Sequence, residues 1–239
     1  MLWEQYAVAW SRLHGGFDPR QASPLVRGWV RIAYRAGSWL TRHRIGPMAV
    51  TTAGLVLCLL VPVAVLLGRA DSLGGPGLSF SGARLSDSPG VLARVGLLLA
   101  AALALVAALA DSLDGAVAVI SGRTTRLGYV YDSVADRLGE LAWLTAFWLA
   151  GAPGWLVTLA GATSWLHEYA RARATAAGMS EIGVVTVAER PTRVLLTIFG
   201  LLSAAALPFL ITAATTLWLL LALTAATQLT VAIRRSLAD

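Results

Sequence analysis

The sequence contains no lysine, a single cysteine and three histidines. Without lysine, every fixed side-chain cation is an arginine. The nineteen arginines lie between apolar runs and in the N-terminal segment, not in a basic block with interleaved aromatics. A nucleic-acid surface is therefore excluded as the meaning of the formal charge of +6. The lone Cys58 excludes an intrachain disulfide and a zinc–thiolate site. Charge of either sign is scarce as well. Only 13% of the 239 residues are charged and 57% are hydrophobic, against roughly 25% charged in an ordinary soluble domain. That balance excludes a soluble fold and indicates one polytopic membrane domain. No repeat of 20–50 residues is evident and the two halves do not look alike, which counts against the repeat-built transporter folds. No cleavable signal peptide is evident before the first apolar run.

What the sequence does have is six apolar stretches near the ~20 residues that cross a bilayer. They lie at 47–68, 91–113, 129–150, 154–174, 191–211 and 213–233. A Gly/Ser/Pro-rich connection follows the first and reads as a loop, while GAPG at 151–154 and Pro208 mark tight turns. Ahead of the spans, Pro24 onward alternates arginines with Leu25, Val26, Trp29, Val30, Ile32, Ala33, Tyr34, Trp39 and Leu40 at helical spacing. That pattern predicts an amphipathic helix on an anionic membrane surface. The expected fold is thus an all-α integral membrane protein, six transmembrane helices preceded by an amphipathic juxtamembrane helix. Its parts are an N-terminal segment (1–46), a six-helix domain (47–235) and a short tail (236–239). With the N-terminus inside, sixteen arginines fall on the near side and three (Arg69, Arg84, Arg94) on the far side. The positive-inside rule then places both termini in the cytoplasm of a cell whose plasma membrane holds the protein.

Between residues 111 and 136 lie four aspartates, Asp111, Asp114, Asp132 and Asp136, beside long runs of Ala, Leu and Val. A carboxylate at the edge of hydrocarbon costs about 2.5–3.5 kcal/mol even on the translocon scale. Asp111 and Asp114 are spaced i, i+3 and Asp132 and Asp136 i, i+4, so each pair shares one helix face. Two such faces opposed across a turn gather oxygen donors around a point that repels itself unless one or two hard divalent cations occupy it, the chemistry of Mg²⁺ or Mn²⁺.

The run Asp111-x-x-Asp114-Gly115-x-x-Ala118, nine residues, Gly128-x-x-x-Asp132-x-x-x-Asp136 resembles the signature of the CDP-alcohol phosphotransferase family. The resemblance covers about residues 25 to 235. It implies a metal-dependent phosphatidyltransferase that uses CDP-diacylglycerol, releases CMP and takes two Mg²⁺ or Mn²⁺ ions at Asp111, Asp114, Asp132 and Asp136. By the same resemblance Asp136 is the general base on the acceptor hydroxyl. Pro47, Thr51, Asp111, Asp114, Gly115, Ala118 and Gly128 face the nucleotide. One position departs: Val119 stands where the family usually has arginine in the nucleotide-side pocket. Arg123 or Arg126 is its nearest substitute, and restoring arginine at 119 is expected to tighten nucleotide binding. The resemblance also implies a homodimer.

Arg171 and Arg173 close the fourth span and Arg190 and Arg193 open the fifth, while Arg137 follows the last aspartate. Arginine forks suit a phosphate, and these five are the expected acceptor-phosphate ligands. As a set they resemble the actinobacterial phosphatidylinositol phosphate synthases within the family, which implies inositol phosphate as acceptor. Glycerol phosphate or another alcohol is the alternative inside the class. A cation transporter, or a non-catalytic relative that binds lipid or nucleotide, is the alternative outside it. His167, Glu168 and Tyr169 read as supporting or interfacial residues.

Overall fold

Helices are dictated almost everywhere by long Ala/Leu-rich stretches that satisfy their own backbone, as a membrane requires. The computed structural model describes residues 1–13, 18–69, 89–179 and 185–237. Among them lie helices α1 (Trp3–Leu13), α2 (Pro24–Arg42), α3 (Pro47–Gly68), α4 (Val91–Ser121), α5 (Arg126–Leu149), α6 (Gly154–Ala176), α7 (Arg190–Ala206) and α8 (Leu210–Leu237), and no strand among the described residues. Residues 70–88 of the expected loop lie outside the described residues. Helices α3, α4 and α8, of 22, 31 and 28 residues, are long and apolar enough to cross a bilayer. Their exposed positions include Leu59, Leu67, Leu98, Leu99 and Leu220, a surface suited to lipid rather than water. The chain is an integral membrane protein.

Two boundaries differ from the sequence expectation. Helix α4 continues to Ser121 instead of stopping at 113, so Asp111 and Asp114 sit within it. It stops where Gly122 takes φ +65° and the Arg123 amide donates to the Ala118 carbonyl at 3.0 Å, a left-handed cap that glycine adopts without steric cost. Helix α7 ends at Ala206, short of the expected 211, because Pro208 forces Leu207 into an extended conformation (φ −135°, ψ 106°).

The chain divides into two compact units, Met1–Val56 with Val106–Asp136, and Leu57–Leu105 with Arg137–Asp239. In the first, α2 is capped by Ser23, whose hydroxyl accepts from the Val26 amide, with Pro24 at its first turn. Val30 and Ala33 are buried on its inner face, whereas Trp29, Ile32 and Trp39 stay exposed. Helix α1 was not expected, although Trp3, Tyr6, Ala7 and Trp10 carry the i, i+3, i+4, i+7 signal. Its Tyr6 ring lies 5.3 Å from that of Tyr34 and Trp3 5.7 Å from the same ring. Tyr34 also donates to the Met1 carbonyl at 2.9 Å. Burial pushes the Tyr6 phenol up to about 12. At Gly37, α2 presses on α4 so closely that a Cβ there would sit 3.1–3.2 Å from Ile120 and Ala116.

In the second unit, Trp218 of α8 donates to the Ser164 hydroxyl of α6 at 3.0 Å and meets Phe147 of α5 edge-on with centroids 6.0 Å apart. Trp143, Phe147, Leu201, Ile211 and Leu229 are fully buried there. Such close-packed aromatics and small residues are how membrane helices hold together without a hydrophobic driving force.

Candidate active site

Within the first unit, α4 supplies Asp111 and Asp114, and α5 supplies Asp132. One carboxylate oxygen from each lies within 4.8 Å of the others. Three oxygen ligands at that separation fit a hard divalent cation, the condition under which such crowding is stable. Asp136 is one helical turn beyond Asp132 and half-buried, and it is not part of this three-residue group.

Helix α3 approaches α4 at Gly54, where a Cβ would be 3.4 Å from that of Ala110. That closeness brings the Thr51 hydroxyl within 2.6 Å of Asp114 Oδ2, to which it donates. Both residues are buried. Thr51, expected beside the nucleotide, thus holds one carboxylate of this group, and its Thr52 neighbour meets the Tyr131 hydroxyl of α5 at 2.7 Å. Pro47 starts α3 and its carbonyl faces the Thr51 hydroxyl at 3.2 Å. Gly115 is exposed, and a Cβ there would meet nothing within 4 Å. That open space beside Asp114 suits a bound ligand. Ala118, half-buried, lies one turn on. Gly128 has a local explanation: its amide donates to the Thr125 hydroxyl at 3.0 Å, capping α5. Arg123 and Arg126 are both exposed on the α4–α5 turn. The Arg123 guanidinium reaches back to Gly46, where a Cβ would lie 3.7 Å from its Nη1.

The arginines expected around an acceptor belong to the second unit, and carboxylates meet three of them. Arg193 is 1% exposed. Its Nη1 donates to Glu140 Oε1 at 2.6 Å, its Nη2 to Glu168 Oε1 at 2.6 Å and its Nε to the Ala188 carbonyl at 2.8 Å. Arg137 Nη1 lies 3.0 Å from Glu140 Oε2 and 3.5 Å from Glu168 Oε1. Arg171 donates to Glu189 at 2.6 Å, and the amide and hydroxyl of Thr186 donate to the same carboxylate, each at 2.8 Å. Burial alone would raise the Glu189 carboxyl, but the bonds from Arg171 and Thr186 prevail and hold it below the usual range. Arg190 stacks 5.6 Å over the Trp143 ring, and Arg173 is exposed.

A model of the family described as CDP-alcohol phosphatidyltransferase matches residues 44–230. The chain belongs to the CDP-alcohol phosphatidyltransferase family. It is 39% identical over 99 residues to the phosphatidylinositol phosphate synthase of Mycolicibacterium smegmatis, covering 38% of this chain and 44% of that one. It is 35% identical over 100 residues to the archaetidylinositol phosphate synthase of Pyrococcus horikoshii, covering 41% and 53%. The alignments thus span about half the length of these curated relatives. Crystal structures of the Mycobacterium tuberculosis phosphatidylinositol phosphate synthase share its fold. With manganese and citrate the TM-score is 0.65 at 21% identity, covering 86% of this chain and 90% of that one. With CDP-DAG bound it is 0.65 at 22%, covering 87% and 96%.

Two findings modify what the family motif suggested. Val119, in the usual arginine position, packs against the apolar cluster of Tyr6, Val30, Ala33 and Ala116 together with Trp3, Trp10 and Tyr34. The position therefore faces the layer made by α1 and α2, where a guanidinium would meet aromatic rings. Arg193, expected on the acceptor phosphate, is buried, and two carboxylates and a carbonyl engage its three nitrogens. Glu140 was missed altogether. Its signal was an acidic residue, fully buried, in the apolar run LGELAWL. Among the expected supporting residues, His167 is buried 3.4 Å from the Thr186 hydroxyl, and Tyr169 is 64% exposed.

Proposed function

We propose that this protein is a phosphatidyltransferase that moves the phosphatidyl group of CDP-diacylglycerol to a phosphorylated polyol such as inositol phosphate, releasing CMP in phospholipid synthesis. The observation that carries the reading is the convergence of Asp111, Asp114 and Asp132, in the family spacing, on one point. The synthases it resembles are named for making phosphatidylinositol phosphate and archaetidylinositol phosphate, and the M. tuberculosis structures contain manganese and CDP-DAG. Both observations support the donor, the acceptor class and the metal.

Asp111, Asp114 and Asp132 would hold the Mg²⁺ or Mn²⁺, with Asp136 at the edge of the set and Thr51 fixing Asp114. Bound there, the cation neutralises the donor's diphosphate and improves CMP as a leaving group. Gly115 leaves room for the nucleotide, with Ala118, Gly128 and Pro47 on its side of the site and Arg123 its cation in place of residue 119. Asp136 takes the proton of the acceptor hydroxyl as the new P–O bond forms and the bond to CMP breaks. Proton transfer of this kind contributes roughly 10²–10⁴-fold, and positioning does most of the rest in phosphoryl transfer. Arg137, Arg171, Arg173, Arg190 and Arg193 hold the acceptor's phosphate.

The same reading extends to the whole chain. Helices α3–α8 are six spans within a domain of residues 47–235, and α2, within the 1–46 segment, is a juxtamembrane helix with Trp29, Ile32 and Trp39 toward lipid. The 236–239 tail and the active site face the cytoplasm at the cell membrane. The enzyme works as a homodimer. Arginine asymmetry supports the orientation, and the exposed aromatic face of α2 supports its place at the bilayer surface.

The test is CMP release in nanodiscs from CDP-diacylglycerol with Mg²⁺ or Mn²⁺, across inositol phosphate, glycerol phosphate, free inositol and serine. Metal-dependent release with inositol phosphate alone is expected. Release with serine or free inositol only would sink the acceptor, and no release with any alcohol would sink the activity.

A further inference from the structure

The three carboxylates of the proposed metal site are not fixed in the same way. Asp111 and Asp114 ride on one helix, so α4 itself sets their separation, whereas Asp132 comes from α5, beyond the turn that Gly122 opens. The third vertex is only as firm as the packing of α5. Helix α3 supplies ties to both helices from two consecutive residues. The Thr51 hydroxyl donates to Asp114 Oδ2 on α4 at 2.6 Å. The Thr52 hydroxyl lies 2.7 Å from that of Tyr131 on α5, the residue just before Asp132. Successive residues of a helix point about 100° apart, so adjacent threonines can reach two different neighbours.

The direction of the second bond follows from counting protons. A threonine hydroxyl has one proton and two acceptor lone pairs. Thr52 gives its proton to the Met48 carbonyl of its own helix, 2.7 Å away. Its oxygen is left to accept, so Tyr131 is the donor. Thr51 does the reverse: an ionised carboxylate only accepts, and the bond to Asp114 is shorter than the 3.2 Å to the Pro47 carbonyl. Together the two threonines make α3 a bracket, with Asp114 on one arm and the neighbour of Asp132 on the other.

Building on the proposed metal site, we infer that Tyr131 and Thr52 are positioning residues whose hydrogen bond fixes Asp132 at the separation from Asp114 that suits a small cation, and so favours Mg²⁺ over larger divalent ions. Neither hydroxyl is itself a ligand. Mg²⁺ demands near-ideal geometry at about 2.0–2.1 Å, whereas Ca²⁺ accepts flexible ligands at about 2.3–2.6 Å. Loosening one vertex of the site therefore weakens the smaller ion more than the larger.

The experiment follows Mn²⁺ binding to the full chain in nanodiscs by electron paramagnetic resonance, without substrate, and its displacement by Mg²⁺ and by Ca²⁺. The variants are Tyr131→Phe, Thr52→Val, the two combined, and Thr52→Ser, which keeps the hydroxyl. Thermal unfolding without metal accompanies each. The first two remove one bond from opposite sides, so either reports if the other fails to fold. Each is expected to weaken Mg²⁺ roughly tenfold, as loss of an outer partner does, and Ca²⁺ by less than about twofold. The combined variant should match the single ones, and Thr52→Ser should keep the wild-type ratio of the two ions. Equal weakening of both ions, a lost ratio in Thr52→Ser, or effects that multiply in the combined variant would make these residues ordinary packing and overturn the inference. Wild-type Mn²⁺ binding is measured first. Its absence refutes the metal reading and this inference together, whereas binding that every variant leaves unaltered refutes only the inference.

Discussion

The two compact units treat charge in opposite ways. In the first, Asp111, Asp114 and Asp132 are gathered within 4.8 Å, and the side-chain hydrogen bond that steadies Asp114 comes from a hydroxyl. In the second, Glu140, Glu168 and Glu189 each meet an arginine at 2.6–3.0 Å, and the group of Arg137, Arg193, Glu140 and Glu168 carries no net charge. Like charges at such distances repel strongly in a low dielectric, and a divalent cation would relieve that repulsion. The second is complete as it stands. The first is the proposed metal site, and the second pairs its charges within the protein.

The largest effect should come from breaking the first arrangement. Asp114→Asn, or a chelator on the wild type, is expected to abolish CMP release, with Mg²⁺ or Mn²⁺ restoring only the chelated wild type. Residual metal-independent turnover would falsify the metal reading. Asp136→Asn should lower kcat by roughly 10²–10⁴-fold while Mn²⁺ binding, followed by electron paramagnetic resonance, stays near wild type. Loss of metal along with activity would move Asp136 from base to ligand. Thr51→Val removes the support and keeps the carboxylate, so the metal concentration for half-maximal activity should rise roughly 10–100-fold. A wild-type metal titration would leave Thr51 without that role.

Smaller effects sharpen the contrast. Val119→Arg was expected from the motif alone to tighten nucleotide binding. With Val119 against Tyr6, Val30 and Ala116, it should instead destabilise by about 1–3 kcal/mol through overpacking, read as a lowered melting temperature. A variant that is both more stable and tighter for CDP-diacylglycerol would refute the packing account. Glu189 gives the smallest signal. Its folded carboxyl lies below the ordinary value of 4.5, so its contribution is present above that pH and fades as pH falls below it. Glu189→Gln should flatten the acid side of a melting-temperature profile below pH 4.5, and an unaltered acid side would show that the Arg171 pair contributes nothing measurable.

Local periodicity made much of this legible. The i, i+3 and i, i+4 spacings of the aspartates carried directly into two helices because helical faces depend only on near neighbours. Pro208 and Gly122 ended helices for reasons written in their own backbones. Tertiary partners were another matter. Nothing near Arg193 in sequence says that residues 53 and 25 positions earlier, Glu140 and Glu168, will meet it, so its burial was not legible there. Thr51 and Asp114 are 63 residues apart, and only the close passage of α3 at Gly54 joins them. Helix α1 was visible as a pattern, but its docking on Tyr34 decides that it matters.

Helix α4 also acts as a ruler. At about 1.5 Å per residue, the stretch from Val91 to Asp111 measures roughly 30 Å, the thickness of a bilayer's hydrocarbon layer. On the proposed reading the carboxylates lie where oil gives way to headgroups, the level at which a lipid's diphosphate lies while its tails remain submerged. The height of the proposed site is then set by counting residues, and four more inserted before Asp111 would lift it by about one helical turn.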